Sequence, residues 1–177
     1  TPKYLIGFAS RESLILEFSP TLISIILAGK VGSFITSSIG TMRVTEQIDA
    51  LEVMGVNSLN HLVLPKIIAT VFFYPFLIIL SMFLGILGGW VACVYGGFAS
   101  NEDFILGLQY EFNSFQIFYA FVKTMCFAFI VATIASFHGY YMKGGALEVG
   151  KAATSSFVWT SVVIILLNYL LTQMLLS

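Results

Sequence analysis

Two ionisable residues lie inside runs that are otherwise apolar: Glu17, just before Pro20, and Lys123, within the stretch from Phe115 to Tyr141. A charged side chain at membrane depth costs several kcal/mol, so it faces a cavity, a partner or a functional path. A carboxylate and an ammonium in the same half of a bilayer can pair across a cavity. They can also contact a zwitterionic or anionic head group. The plainer reading of each is a side chain snorkelling to the nearer surface. Lys30 and His138 lie near the opposite ends of their runs, where snorkelling and capping account for them. His61 stands alone in the polar turn Asn57 to His61 and is not a metal site. Cys93 and Cys126 sit in apolar surroundings and read as small hydrophobes.

A second group with chemistry to offer runs from Arg43 to Met54. Val44, Ile48 and Leu51 fall at i, i+4 and i+7 and form one apolar stripe, while Arg43, Glu46, Asp49 and Glu52 lie mostly away from it. Gly55 is a suitable C-terminal stop. A helix that only rests on a membrane surface is usually rich in Lys and Arg. This one is acidic, which anionic lipid repels and which suits a basic groove on a partner protein. It reads as a handle on a tight tether for something in the water phase.

The elements that must position these residues follow from composition. The chain has 177 residues, 58% of them hydrophobic and only 10% charged, against about 25% charged in an ordinary soluble domain. It reads as one all-α integral membrane domain, a polytopic helix bundle over residues 1–177. Crossing about 30 Å of hydrocarbon takes roughly 20 apolar residues as a helix. Four segments qualify: about Ser13 to Ser38, Pro65 to Tyr95, Phe115 to Tyr141 and Ala152 to Leu176. None alternates as a membrane β-strand would. Lys and Arg favour cytosolic loops. Arg43, Lys30 and Lys66 flank the first loop, Lys143 and Lys151 the third, and the middle loop carries only Glu102, Asp103 and Glu111. The first and third loops are therefore expected in the cytosol, with Lys3 and Arg11 weakly opposing that placement. A cytosolic N-terminus would then require one further span upstream, five in all. The net charge of −1 gives no hint of nucleic-acid binding.

Small residues recur in the first span, with Ala28, Gly32, Thr36 and Gly40 on one line and Gly29, Ser33 and Ser37 on the next. Gly85 and Gly89 form a GxxxG spacing in the second span. Such stripes allow close backbone approach, within one chain or across a homodimer seam. Pro75 is expected to kink the second span. In the middle loop Asn101 can cap a helix whose face is Phe104, Ile105, Leu108 and Phe112, lying at the outer interface. There is no GxxxxGK[ST] loop, HExxH, GxSxG or paired-cysteine motif. The chain therefore shows no means of hydrolysing ATP, no catalytic constellation and no cofactor site.

The order Leu16-Glu17-Phe18-Ser19-Pro20, Ala28-Gly29-Lys30-Val31-Gly32-Ser33 and Gly40-Thr41-Met42-Arg43-Val44-Thr45-Glu46-Gln47-Ile48-Asp49-Ala50-Leu51 resembles the MlaE/YrbE permease family. His138-Gly139-Tyr140 and Gly150-Lys151-Ala152-Ala153-Thr154 continue the match over nearly the whole chain. These permeases are the membrane subunits of ABC transporters that work with MCE-domain proteins. The resemblance implies a dimeric core in the bacterial inner membrane with two ATPase subunits on its cytosolic side. It also implies a periplasmic MCE-domain partner and a small STAS-type cytosolic accessory protein. Phospholipid is the implied cargo, moved for outer-membrane lipid homeostasis. By the same resemblance Glu17, Phe18 and Lys123 border the lipid cavity, and Arg43, Glu46, Gln47, Asp49 and Glu52 form the coupling helix that meets the ATPase. Gly29, Gly32, Ser33, Gly85 and Gly89 serve dimer or helix packing. Leu16 stands where the family often has Arg. The family's N-terminal helix and first span have no counterpart in these residues. Two other readings compete: an ion-coupled secondary transporter using Glu17, Lys123 and His138 as a proton relay, and a purely structural anchor for an outer complex.

Overall fold

The computed structural model describes residues 2–176, and no strand occurs among them. Among the described residues, four helices are long and apolar enough to cross a membrane. α1 covers Tyr4–Val44, α3 Leu59–Tyr95 and α5 Ser114–Tyr140, and α6 covers Ala146–Leu176. Two short helices join them: α2, Gln47–Val53, between α1 and α3, and α4, Asn101–Gln109, between α3 and α5. The helices alternate in direction, so α2 and the α5–α6 turn share one end of the bundle and α4 the other.

α5 is the central strut. Ala120, Phe127, Ala128, Val131, Ala132 and Ala135 along it are buried against α1, α3 and α6. One core layer joins Ala28, Tyr74, Phe127, Val131 and Ile164. The next joins Ile35, Ile39, Ile48, Leu62, Ala132 and Ala135. The outward face of α3 presents Phe72, Phe76, Ile79 and Phe83, and that of α6 presents Trp159, Val162, Leu166 and Tyr169, all exposed. A continuous apolar exterior around an interior holding Lys123, Arg11 and several hydroxyl groups is the pattern of a protein dissolved in lipid.

The first span is longer than the hydropathy run. Helix persists from Tyr4 to Val44, beyond the expected Ser13–Ser38 at both ends. Two stretches are wound as π-helix, Leu14–Ile23 and Ala28–Gly32. Pro20 lies in the first, where the missing N–H already breaks the i→i−4 ladder. Pro75, expected to kink the second span, is buried inside α3 without ending the helix.

The expected Arg43–Met54 helix is interrupted. α1 ends at Val44 and Glu46 adopts a left-handed backbone at φ 63°. The chain reverses there because Ile48 is drawn into the core between Ile35, Ile39 and Leu62. Burying an Ile is worth about 1.5–3 kcal/mol, against about 1–2 kcal/mol for one left-handed non-glycine residue. The outer helix is also corrected in detail. Its cap is Ser100, whose Oγ accepts from the Asp103 N–H at 3.1 Å, while Asn101 accepts from Trp90 Nε1 at 2.6 Å. It stops at Gln109, leaving Phe112 outside, and it buries Phe104 and Gly107 rather than a face including Ile105. A Cβ on Gly107 would lie 2.0 Å from the Tyr4 carbonyl oxygen, so glycine is what allows α4 to seat on α1.

Candidate functional site

The π-wound part of α1 places Glu17 opposite the middle of α5. There the Lys123 ammonium stands 3.2 Å from Glu17 Oε2. It also donates to Tyr119 Oη at 3.0 Å and to the Leu16 carbonyl at 3.2 Å. Tyr119 Oη and Thr172 Oγ1 lie 2.9 Å apart and both reach toward Glu17 Oε1, at 3.4 and 3.5 Å. One turn further along α1, Thr21 donates to Asn168 Oδ1 on α6 at 3.2 Å.

The pair is asymmetric, and that decides what it can do. The Lys123 side chain is 0% exposed, whereas Glu17 is 44% exposed, beside the half-exposed Phe18. The ammonium is held from three sides and cannot snorkel. The carboxylate keeps a free side at the bundle surface. The arrangement can present a fixed negative group, backed by a positive one, to the polar part of a ligand whose apolar part runs along Phe18 and Leu22. Of the alternatives open to Glu17 and Lys123, the structure shows the pair. His138 is not brought to it. His138 sits on the same helix about 22 Å further on, its Nδ1 3.0 Å from the Ile134 carbonyl oxygen, with the apolar layer of Phe127, Ala128, Val131 and Ala132 between. Two members of the site escaped sequence reading. Tyr119 was visible in principle as the i−4 neighbour of Lys123 on one helix face. Thr172, on another helix, left no local signal.

The α2 platform lies at the far end. Ile48 is buried, as its place on the apolar stripe requires, and Leu51 is half-buried. The acidic residues divide. Asp49 accepts from Arg43 Nη1 at 3.3 Å, Glu52 accepts from Ser58 Oγ, and Glu46 stands exposed in the reversal. Beside them Val53 and Met54 are 87% and 71% exposed, an apolar tip that the acidic pattern concealed. Arg43 turns inward, its Nε donating to the Tyr140 carbonyl at 2.9 Å. Gln47 is exposed at the first turn of α2.

Small residues do their packing within the chain on one line of α1. Gly32 faces Val131 and Ala135 of α5, and Gly40 faces Met142 and Val149. Gly85 admits Leu14, and Gly89 faces Phe104. The neighbouring line remains open. Gly29, Ser33 and Ser37 line a groove with Lys30 and Phe34 at the bundle surface, although Gly29 also abuts Phe157 of α6. Arg11, expected to weigh on topology, is buried instead. It donates to the Leu108 and Tyr110 carbonyls at 2.8 and 2.7 Å and pairs with Glu12 at 2.7 Å.

The profile of the family described as "Permease MlaE" matches residues 2–174. A "Probable ABC transporter permease protein" of Rickettsia bellii is 36% identical over 162 residues, 92% of this chain and 62% of that protein. A protein of the same description from Synechocystis is 34% identical over 171 residues, 96% of this chain and 65% of that one. The "Intermembrane phospholipid transport system permease protein MlaE" of Haemophilus influenzae is 33% identical over 164 residues, 92% of this chain and 63% of that protein. The chain thus spans somewhat under two thirds of the length of these curated relatives.

Proposed function

Because the chain belongs to the MlaE permease family, we propose that it is the membrane-spanning part of an ABC transporter that moves phospholipid between the bacterial inner membrane and a periplasmic MCE-domain partner. The observation that carries this is the Glu17–Lys123 pair, an ion pair held at membrane depth with one carboxylate side left open beside Phe18. The name of the Haemophilus relative supports the lipid class.

In this reading α2 and the α5–α6 turn face the cytosol. Lys30, Arg43, Lys66, Lys143 and Lys151 all lie toward that end. Arg11 ceases to oppose the assignment once its charge is tied to Glu12 and two carbonyls. The ATPase, in two copies, docks on Glu46, Gln47, Asp49, Val53 and Met54 of the α2 platform, with Arg43 and Glu52 holding that platform in shape. A second copy of the chain closes over the Gly29–Ser33 groove and supplies the missing wall beside Glu17 and Phe18. A STAS-type protein is a further cytosolic partner. A phosphate-linked amine head group would find the open side of Glu17 for its cation, with Lys123 sealed behind the carboxylate.

The test is transfer of labelled phospholipid by the full-length permease with its ATPase and MCE-domain partners in proteoliposomes. Transfer that requires ATP and falls at least tenfold in Lys123→Met supports the reading. Reversing Glu46, Asp49 and Glu52 together should release the ATPase. Lipid transfer indifferent to nucleotide and driven by a pH gradient would establish the ion-coupled alternative instead, which the separation of His138 from Lys123 disfavours.

A further inference from the structure

Tyr140, the last residue of α5, gathers three segments that flank or form α2. Its carbonyl accepts from Arg43 Nε at 2.9 Å, at the end of α1. Its ring lies under the Arg43 guanidinium, 4.6 Å from the centroid. Its hydroxyl is 2.8 Å from Ser58 Oγ, just after α2. The same Ser58 hydroxyl group donates to Glu52 on α2 itself, and Arg43 also reaches Asp49. Ser58 is fully buried, although the helix it serves is largely exposed. α2 is therefore attached at both ends to one tyrosine.

We infer that Tyr140 is the positioning residue through which movement of α2 reaches the Glu17–Lys123 site; the inference rests on the transporter reading above. The path is short and stiff. One residue before Tyr140, Gly139 crosses α1 so closely that a Cβ would stand 2.7 Å from the Thr36 carbonyl oxygen. Thr36 Oγ1 in turn donates to the Ala135 carbonyl at 2.8 Å. α5 runs unbroken back to Lys123 and Tyr119, about 26 and 32 Å from Tyr140 at the helical rise. A displacement of α2 cannot be absorbed at the Arg43–Tyr140–Ser58 junction without breaking the part-buried hydrogen bonds that form it. It passes instead into a helix that carries two of the site's polar groups. Packed elements of this kind shift between discrete arrangements rather than deform continuously.

The test uses the full-length permease with its ATPase in lipid nanodiscs, with Cys93→Ala and Cys126→Ala. Spin labels are placed at Phe121→Cys and Tyr169→Cys, exposed positions on the two helices beside the site. Distances are read with and without a non-hydrolysable ATP analogue, and lipid moved per ATP is measured in parallel. Tyr140→Phe keeps the ring and carbonyl contacts and removes only the hydroxyl; Ser58→Ala breaks the same link from the other side. Both should retain the ATPase and hydrolyse ATP within twofold of the parent. The nucleotide-induced distance change should fall at least by half, and lipid moved per ATP at least threefold. A full distance change in both variants overturns the inference, as does a parent in which nucleotide moves the labels not at all. A parent that hydrolyses ATP yet moves no lipid overturns the transport reading, and the distances still judge Tyr140.

Discussion

Neutralising Glu17 should destabilise the bundle, and removing Lys123 as well should restore it without restoring lipid transfer. The ammonium stands 3.2 Å from Glu17 Oε2. At an effective dielectric of 20 the direct attraction is about 5 kcal/mol, and desolvation of the fully buried lysine offsets much of it. Breaking a buried pair from one side costs about 3–5 kcal/mol, because the surviving charge is left uncompensated. Glu17 is 44% exposed and Gln keeps an acceptor oxygen, so Glu17→Gln belongs at or just below the low end of that range, about 2–3 kcal/mol. For a chain of this size each kcal/mol moves the apparent Tm by about 2–4 °C, giving a drop of about 5–10 °C. Lys123→Met leaves the carboxylate with Tyr119, Thr172 and its solvated side, and should cost about 1 kcal/mol. In the double variant no charge of the pair remains, and a neutral replacement of a buried pair is often energetically level. Its Tm should return to within about 3 °C of the parent. The assay is thermal unfolding in one detergent for all four proteins, with lipid transfer measured on the same preparations. A Glu17→Gln protein that melts with the parent, or a double variant no more stable than Glu17→Gln alone, would refute the energetic argument. A double variant that transfers lipid normally would refute the assignment of the pair to the ligand.

Three other outcomes follow from the contacts. Gly107→Ala puts a Cβ 2.0 Å from the Tyr4 carbonyl oxygen, so α4 should lift from α1, read as protease cleavage between residues 96 and 114 that the parent resists. Arg11→Gln removes the cation that holds the Leu108 and Tyr110 carbonyls and should cost about 3 kcal/mol, seen as a lowered Tm with ATPase retention unchanged. Val53→Asp with Met54→Asp alters only exposed side chains. Stability should stay within about 0.5 kcal/mol, while co-purification of the ATPase falls at least tenfold.

The spans, the chemical character of the α2 segment and the choice of Glu17 and Lys123 were legible in the residues. Hydropathy over a stretch of about 20 residues reports directly on solubility in lipid. An ionisable group inside such a stretch stands out against it. The starting and stopping points were less legible, because Tyr4 to Ser13 and Thr41 to Val44 are helical through contact with α4 and α5 rather than through apolar content. Propensity for a helix across Thr45 and Glu46 lost to the core's demand for Ile48.

What the sequence by itself determined is the medium and the composition of the site: a lipid-dissolved helical chain, an acidic segment outside it, one carboxylate and one ammonium within. Tertiary structure alone decided that Lys123 is sealed and Glu17 open, that Tyr119 and Thr172 join them, and that Arg43 and Ser58 converge on Tyr140, with Glu52 joined through Ser58. The reason is separation along the chain. Thr172 lies 155 residues from Glu17 and Tyr140 lies 82 from Ser58. Periodicity informs only on neighbours within a turn or two of one helix, whereas partners on different helices are chosen by how the bundle packs.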